Sequence, residues 1–566
     1  MGALAQGAGR RVRVLTLAAA CLALFAIFLD NTIVNVAVPA IQQDLGSAPG
    51  QLEWVVNAYV VAFAGIVLLG GKLGDRFGRR RMFVAGLLLF AAGSAAGGLS
   101  ASSAMLIGAR AVQGTGAALL APLSLSLLAQ VFDRRELPLV IGVWTGVSGL
   151  GLAIGPLAGG LLVEHFGWHA VFWVNVPIAA LAAVLTLAGV PESAGTAGTK
   201  IDVPGAILVT AGLVLTVAGF ARAVSHPWTD PWTLALLAAG AVLLAAFALQ
   251  QLRAASPLIP VSWLRDRQVL VSVTTLLLAS FALFGAIFLV SLYLQDVRGY
   301  TAVQAGVRML PLTLTTLVVA PLAGKAAVRR GPAGVLLAGL ALTGAATISL
   351  ATLGTGSGYG WFGARLALLG IGLALALPTV VALIINRVPA DRAGAGSGLA
   401  TMSRQFGGAL GLAVLASLGS RVAGDYFTHR TGLTALRGLV AGGQISDVRR
   451  LAGAHAADLA TQSFLHGFTV AMWIATAAVG TALVIALVLA RAGGGLTVAG
   501  PATGGRSVPA APSPGTGPVP QQDPGAPAPG PRIPAALSDR ADPGIGSASA
   551  TSRPAMDRVA RRGGAS

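Results

Sequence analysis

Asp30 has the clearest chemical potential in this 566-residue chain, being a carboxylate set inside the apolar run from Val14 to Ala40. A charged side chain at that depth in a bilayer costs from about 3 to more than 10 kcal/mol, so an acid kept there marks a functional site by default. A proton-driven carrier needs a group that gains and loses a proton as its access alternates, and a carboxyl can be that group. A permanently paired structural aspartate is the plainer reading. Asp44, Glu53, Asp75, Asp133, Glu164, Asp296 and Asp391 all fall in loops or at the ends of apolar runs. Arg110 lies inside a second apolar run and is the natural partner of Asp30; a static ion pair that only spaces two helices is the alternative. Gln113, Arg365 and Arg404 are further polar groups within apolar runs and are candidates for a central cavity. Arg308, near the start of a run, reads as interfacial.

These residues need a bilayer around them. Soluble proteins carry about 25% charged residues; here the figure is 10%, with 55% hydrophobic residues and a mean hydropathy of +0.78. Such a composition cannot build a water-soluble surface at this length, so the apolar surface must face lipid. The net charge of +18 could suggest nucleic acid as a partner, but the bases sit in short clusters between apolar segments, which is the pattern of membrane loops. Nucleic acid is therefore excluded. The single cysteine, Cys21, allows no intrachain disulfide. Arg10, Arg11 and Arg13 precede the first run as in a signal peptide, yet that run exceeds the roughly 7–15 residues of a signal core, and an uncleaved first helix is expected.

A span needs about 20 mostly apolar residues. Runs that long lie near 14–40, 54–71, 82–100, 104–131, 138–163, 168–190, 203–222 and 231–251, then near 269–294, 303–324, 333–353, 361–385, 396–420 and 464–490. The predicted fold is all-α, with fourteen transmembrane helices. Lys and Arg cluster before helix 1 and after helices 2, 4, 8, 10 and 12, as in Lys72, Arg76, Arg79, Arg80 and Arg81. By the positive-inside rule both termini are cytoplasmic, which requires an even number of helices. On that orientation Asp30 is about 16 Å from the outer end of its helix and Arg110 about 9 Å from the outer end of its own, so the two are within reach of one another. A long outer loop is expected over 421–463. Beyond Arg491 the chain turns to Pro, Gly, Ala and Ser, and 13 of its 30 prolines follow residue 500; that composition predicts a disordered cytoplasmic tail over 492–566.

The chain also repeats itself. Gly71-Lys72 through Arg76 to Gly78 recurs as Gly324-Lys325 through Arg329 to Gly331. Gly108-Ala109-Arg110 to Pro122 recurs as Gly363-Ala364-Arg365 to Pro378, and Asp133-Arg134 recurs as Asp391-Arg392. The pairs Lys72 and Lys325, Arg110 and Arg365, and Asp133 and Asp391 are 253, 255 and 258 residues apart. Each pair keeps the same membrane orientation, the mark of parallel repeats in secondary transporters. A six-helix half of about 180 residues leaves room for two more helices in that separation. The expected organisation is a cytoplasmic N-terminus over 1–13, a six-helix bundle over 14–191, two intervening helices over 192–268 and a second six-helix bundle over 269–491.

With these signatures, over roughly residues 10–491, the sequence resembles the major facilitator superfamily, specifically its fourteen-spanner drug:proton antiporters of the EmrB/QacA type. The likeness rests on Leu29-Asp30-Asn31-Thr32 to Pro39 in helix 1, the Gly71 to Arg81 loop, Arg110, Gln113, Gly114 and Gly116 in helix 4, Gly151 to Gly160 with Gly155-Pro156 in helix 5, and Trp168 to Pro177 in helix 6. The resemblance implies export of small hydrophobic or cationic compounds by alternating access, driven by the proton gradient with no cofactor, through a bacterial plasma membrane and by a monomer. It places Asp30, Asn31, Arg110, Gln113, Arg365 and Arg404 at the coupling site and cavity. Gly71, Asp75, Arg76, Gly78 and Arg79 become a charge latch, whose second copy has Val328 in place of Asp75. Gly151, Gly155, Pro156 and Gly159 become a helix 5 element that closes the outer side. In residue terms the glycines of helix 5 recur every four positions and share one face, which permits close helix approach, and Pro156 can kink the helix.

Rival functions fare worse. The six histidines show no metal-site spacing, and no phosphate-binding loop occurs for an enzyme or an ATP-driven pump. An exporter of an endogenous metabolite or lipid stays open, and the Gly-Pro pair of helix 5 disfavours an importer.

Overall fold

The computed structural model describes residues 9–46, 49–193, 202–225, 228–254, 257–354, 358–389 and 392–491. No strand occurs among them, and fourteen of their helices are long and apolar enough to cross a bilayer. Lipid offers no partner to a backbone N–H or C=O, so a spanning segment must satisfy itself, which a helix does. In chain order the spanning helices are α1 (Arg10–Leu45), α2 (Pro49–Phe77), α3 (Arg79–Gly98), α4 (Ser103–Val131), α5 (Leu137–Phe166), α6 (Ala170–Gly189), α7 (Val203–Ser225), α8 (Pro231–Arg253), α9 (Arg267–Leu292), α10 (Leu310–Arg330), α11 (Pro332–Ala351), α12 (Tyr359–Arg387), α13 (Ala393–Thr431) and α14 (Ile445–Arg491). The chain is thus a multi-pass membrane protein, with apolar side chains such as Leu187, Val242 and Leu249 left exposed for lipid. Side-chain caps start several helices: the Ser102 hydroxyl accepts from Met105 N at α4, and the Asp266 carboxylate from Gln268 N at α9.

Where the chain turns between helices, the internal repeat is visible in the backbone. Gly78 between α2 and α3 and Gly331 between α10 and α11 both take positive φ, +99° and +87°, a region that side chains with a Cβ avoid. They are 253 residues apart, the spacing of Lys72 and Lys325. Packing repeats as well. A Cβ on Gly116 would lie 2.5 Å from the backbone N of Phe90 where α4 crosses α3, and one on Gly372 would lie 2.5 Å from the backbone N of Thr343 where α12 crosses α11.

Two seams join the halves. Gly142 and Gly324 let α5 and α10 come into backbone contact, at Ala320 and Pro138 respectively. Along the other seam Gly71 of α2 meets Gly394 of α13, each standing where a Cβ would overlap the other's carbonyl. The two intervening helices pack beside this second seam: Thr210 of α7 donates to the Gly65 carbonyl of α2, and Gly212 and Thr216 of α7 pack against Leu244 and Gly240 of α8.

One expectation needs correction. The segment 421–463 is not a long loop: α13 continues to Thr431, and α14 begins at Ile445 with a kink at Gly453 (φ 83°). The physical reason is that charge ends an apolar run but not a helix. No proline occurs between Ala393 and Arg491, and the Ala, Leu and Arg residues of this stretch keep high helix propensity outside the lipid. Asp391 and the tail 492–566 lie outside the described residues.

Candidate functional site

Asp30 sits at the centre of a sealed polar cluster. Its Oδ2 accepts from Arg110 Nη1 at 2.6 Å, and its Oδ1 from Gln113 Nε2 at 2.8 Å and Asn175 Nδ2 at 2.9 Å. Gln113 Oε1 takes a second bond from Arg110 at 2.6 Å, Gln113 and Asn175 both donate to Ser94 Oγ, and Arg110 Nε donates to the Val55 carbonyl at 3.1 Å. Tyr59 and Phe172 close over the guanidinium, which lies 4.4 Å from the Tyr59 ring centre. Asp30, Gln113 and Asn175 are 0% exposed and Arg110 1%, so α1, α2, α3, α4 and α6 all contribute to a site without water access in this conformation. A buried ion pair this well hydrogen-bonded can offset its own desolvation. Its parts are interdependent, since removing either charge strands the other.

Asn31, the next residue, faces the opposite way. Together with Phe28, Thr32, Asn35 and Val36 it forms the α1 wall of a cavity of about 340 Å³ between the halves, whose other walls include Leu152 and Pro156 of α5, Phe284 and Phe288 of α9, and Leu312 and Thr313 of α10. The cavity extends away from the loops rich in Lys and Arg. Smaller spaces of about 30 and 40 Å³ continue inward to Arg404 of α13. Phe28 and Phe284, one from each half, line all three spaces.

At the basic-loop end the halves are tied shut. Asp75 Oδ1 accepts from Arg79 Nη2 at 2.9 Å and from Gly394 N at 3.0 Å, and Oδ2 from Ala395 N at 3.0 Å. The last residues of α2 thus cap the first turn of α13, whose N–H groups have no partner within their own helix and whose dipole favours a negative charge there. Arg134 Nη1 adds a tie from the first half to the C-terminal carbonyl of Asn386 in α12 at 2.7 Å. Of the residues expected in the latch, Gly71, Asp75, Gly78 and Arg79 are brought together. Arg76 is not: it is exposed and lies over the Phe77 ring.

The glycine face of α5 packs on α1. A Cβ on Gly151 would come 2.7 Å from the Phe25 carbonyl and one on Gly159 3.0 Å from Ile33, while one on Gly155 would overlap the Thr32 hydroxyl. Pro156 points the other way, into the cavity and against Gly306. Gly155→Leu is expected to cost about 1–3 kcal/mol of local strain and to reduce export about tenfold or more, with membrane insertion within about twofold of wild type. Equal loss of export and of inserted protein on an immunoblot would show a folding defect instead.

Arg365, expected in the cavity, is elsewhere. It lies six residues into α12, donates to Thr352 Oγ1 at 3.2 Å, stacks 5.6 Å from the Trp361 ring and lines none of the cavities above. Residues 283–285 of α9, at the repeat separation from Asp30, are Leu, Phe and Gly, so the second half has no acid to draw Arg365 inward. Ser94 and Gly394 are site residues that sequence reasoning did not single out, and Asn175 and Arg134 were noted only within the helix 6 signature and the internal repeat, without a place in the site. Asn175 carried a signal as a polar side chain seven residues after the Trp168 landmark; a serine or a glycine in an apolar helix carries almost none.

Two parallel six-helix bundles around a shared cavity that is closed at one end form the architecture of a membrane transporter. The profile of the Major Facilitator Superfamily matches residues 20–412, and the chain belongs to that family. It is 37% identical over 492 residues to the tetracenomycin C resistance and export protein of Streptomyces glaucescens, covering 84% of this chain and 91% of that one. It is 40% identical over 416 residues to the cephamycin export protein CmcT of Amycolatopsis lactamdurans, covering 72% and 85%. The multidrug resistance protein Stp of Mycobacterium tuberculosis is 36% identical over 409 residues, covering 72% and 76%. The fold is shared with the crystal structure of the human organic anion transporter MFSD10 at a TM-score of 0.53 and 17% identity, covering 83% of this chain and 99% of that one.

Proposed function

We propose that this chain exports small hydrophobic compounds, antibiotics among them, from the bacterial cytoplasm in exchange for protons, by alternating access between its two halves. The reading rests on its relatives, named for antibiotic and multidrug export and resistance, and on one observation above all. Asp30 is a fully buried carboxylate that holds three helices together through Arg110, Gln113 and Asn175, directly behind the cavity wall at Asn31. On the positive-inside rule the basic-loop end is cytoplasmic, so the conformation described is closed to the cytoplasm with its cavity in the outer half.

From this geometry the steps follow. A proton on Asp30 replaces an acceptor with a donor and cancels the charge that holds Arg110, which loosens α1 from α4 and α6. The α1 wall of the cavity moves with it, because Phe28, Asn31 and Thr32 are on the same helix turns. Loss of the α2–α13 contact at Gly71, Asp75 and Gly394 opens the cytoplasmic end, and release of the proton there restores the ion pair. Cavity, cluster and latch all lie within one chain, so a monomer suffices.

In proteoliposomes, an imposed pH gradient alone is expected to drive export of a drug the cells resist, and a protonophore to abolish it. Export that persists unchanged after the gradient is collapsed would rule out proton coupling.

A further inference from the structure

Every charged side chain deep in the first half has a counter-charge, and Arg404 does not. It lies eleven residues into α13, about 17 Å along a helix that rises 1.5 Å per residue, near mid-span. Arg404 lines the two inner spaces of the cavity, and among the described residues it has no ion-pair or hydrogen-bond partner; its Nε is buried without one. Its one close contact is the Phe28 ring, 4.8 Å from the guanidinium carbon, a cation–π contact that offsets part of the cost of an unpaired charge. An unpaired buried charge is costly, and in a membrane such charges mark substrate pathways.

Among the described residues, the walls around it supply no acid. Their described lining comprises neutral polar side chains, Asn31, Asn35, Ser291, Gln295 and Gln405 with several Ser and Thr hydroxyls, together with apolar residues and Arg404. Asp30 does not compensate, since it is 0% exposed and Arg110 takes its charge. The cavity of about 340 Å³ is in the range that holds a drug-sized molecule. The smaller spaces of about 30 and 40 Å³ on its inner side present the Arg404 guanidinium, flanked by the Phe28 and Phe284 rings that also line the large cavity.

We propose that Arg404 is the anchor of an acid-binding subsite, and that the compounds this transporter handles best are aromatic or polycyclic amphiphiles carrying a carboxylate or an equally acidic hydroxyl. The anion pairs with the planar guanidinium, which suits a carboxylate bidentately, and the ring system lies between Phe28 and Phe284. The inference rests on the export reading for its biological sense, but the binding it describes is measurable without transport.

The probes are anthracene-9-carboxylate and its methyl ester, equal in shape and different in charge, with ethidium as a cationic control. Binding is measured near neutral pH on the full chain in lipid nanodiscs, by tryptophan fluorescence. Wild type is expected to bind the acid at least about tenfold more tightly than the ester. Arg404→Gln should weaken the acid about 10- to 100-fold, the worth of a charged hydrogen-bonded pair, and leave the ester within about threefold; Arg404→Lys should recover part of the loss. A purely structural role would weaken both compounds alike, and that result overturns the proposal. So does wild-type protein that binds the ester or ethidium more tightly than the acid, an outcome that needs no variant to fold. Selective binding of the acid by protein that exports neither compound supports the subsite and instead overturns the export reading.

Discussion

Asp30→Asn is expected to yield a protein that reaches the membrane, unfolds more easily and exports nothing in response to a pH gradient. The substitution keeps the shape of the side chain and removes the one charge that Arg110 faces at 2.6 Å. An asparagine there has one oxygen and one NH2 group to meet donors from Arg110, Gln113 and Asn175, so at least one donor confronts another. Breaking a buried pair by removing one partner costs about 3–5 kcal/mol. The double variant Asp30→Asn, Arg110→Gln discriminates between roles. With both charges gone it should regain most of the lost stability, because the remaining amides can hydrogen-bond one another, while export stays at background. Thermal unfolding in detergent and gradient-driven export in proteoliposomes measure the two quantities separately. Proton-coupled export by the single or the double variant would reduce Asp30 and Arg110 to a structural pair.

Gly394→Val is expected to abolish export for a different reason, by denying the protein the closed state described here. Gly71 and Gly394 meet backbone to backbone, and any side chain at either position overlaps the facing carbonyl. Overpacking of this kind costs about 1–3 kcal/mol, and all of it falls on the conformation in which α2 and α13 touch. A carrier poised between two states of similar energy would then spend most of its time open at the basic-loop end. The readout is labelling of Thr401→Cys, a residue of the inner cavity, in a Cys21→Ser background with an impermeant maleimide applied from the basic-loop side. Faster labelling with normal insertion is expected in Gly394→Val, and unchanged labelling with wild-type export would show that the glycine contact is incidental. Asp75→Ala should act in the same direction more weakly, since it deletes a helix cap of about 0.5–2 kcal/mol.

How much of this was legible beforehand depended on how local each signal is. The fourteen helices were, because a spanning helix satisfies its own hydrogen bonds and its hydropathy needs no partner to be read. Helix ends were less so: charge at Arg421, Asp425 and Arg430 was read as loop, yet α13 continues through all three to Thr431. The Asp30 and Arg110 pair was legible because two opposite charges, each prohibitively costly alone in lipid, have to find one another. Asn175 and Ser94, which complete the cluster, were not, since neutral polar side chains occur in many spans without a role. Asp75 stood out as an acid amid bases, Arg79 among them, but its partners across the seam are two backbone N–H groups 319 and 320 residues away, and a backbone donor has no residue type to betray it.

Arg365 and Arg404 make the same point most simply. Each is an arginine inside an apolar run of the second half, and nothing in the sequence ranks one above the other. The sequence by itself determined the membrane, the number of helices, the six, two and six arrangement and the need for Asp30 to be paired, because those follow from composition, period and the cost of charge in lipid. Only the tertiary structure decided which faces of the helices meet. It turned Asp30 inward and Asn31 toward the cavity, put Arg365 beside Thr352 and Trp361 near one end of α12, and left Arg404 unpaired at mid-span. Rotating a helix by one residue's 100° exchanges those roles with no change in hydropathy, so the choice belongs to side-chain packing between helices distant in sequence.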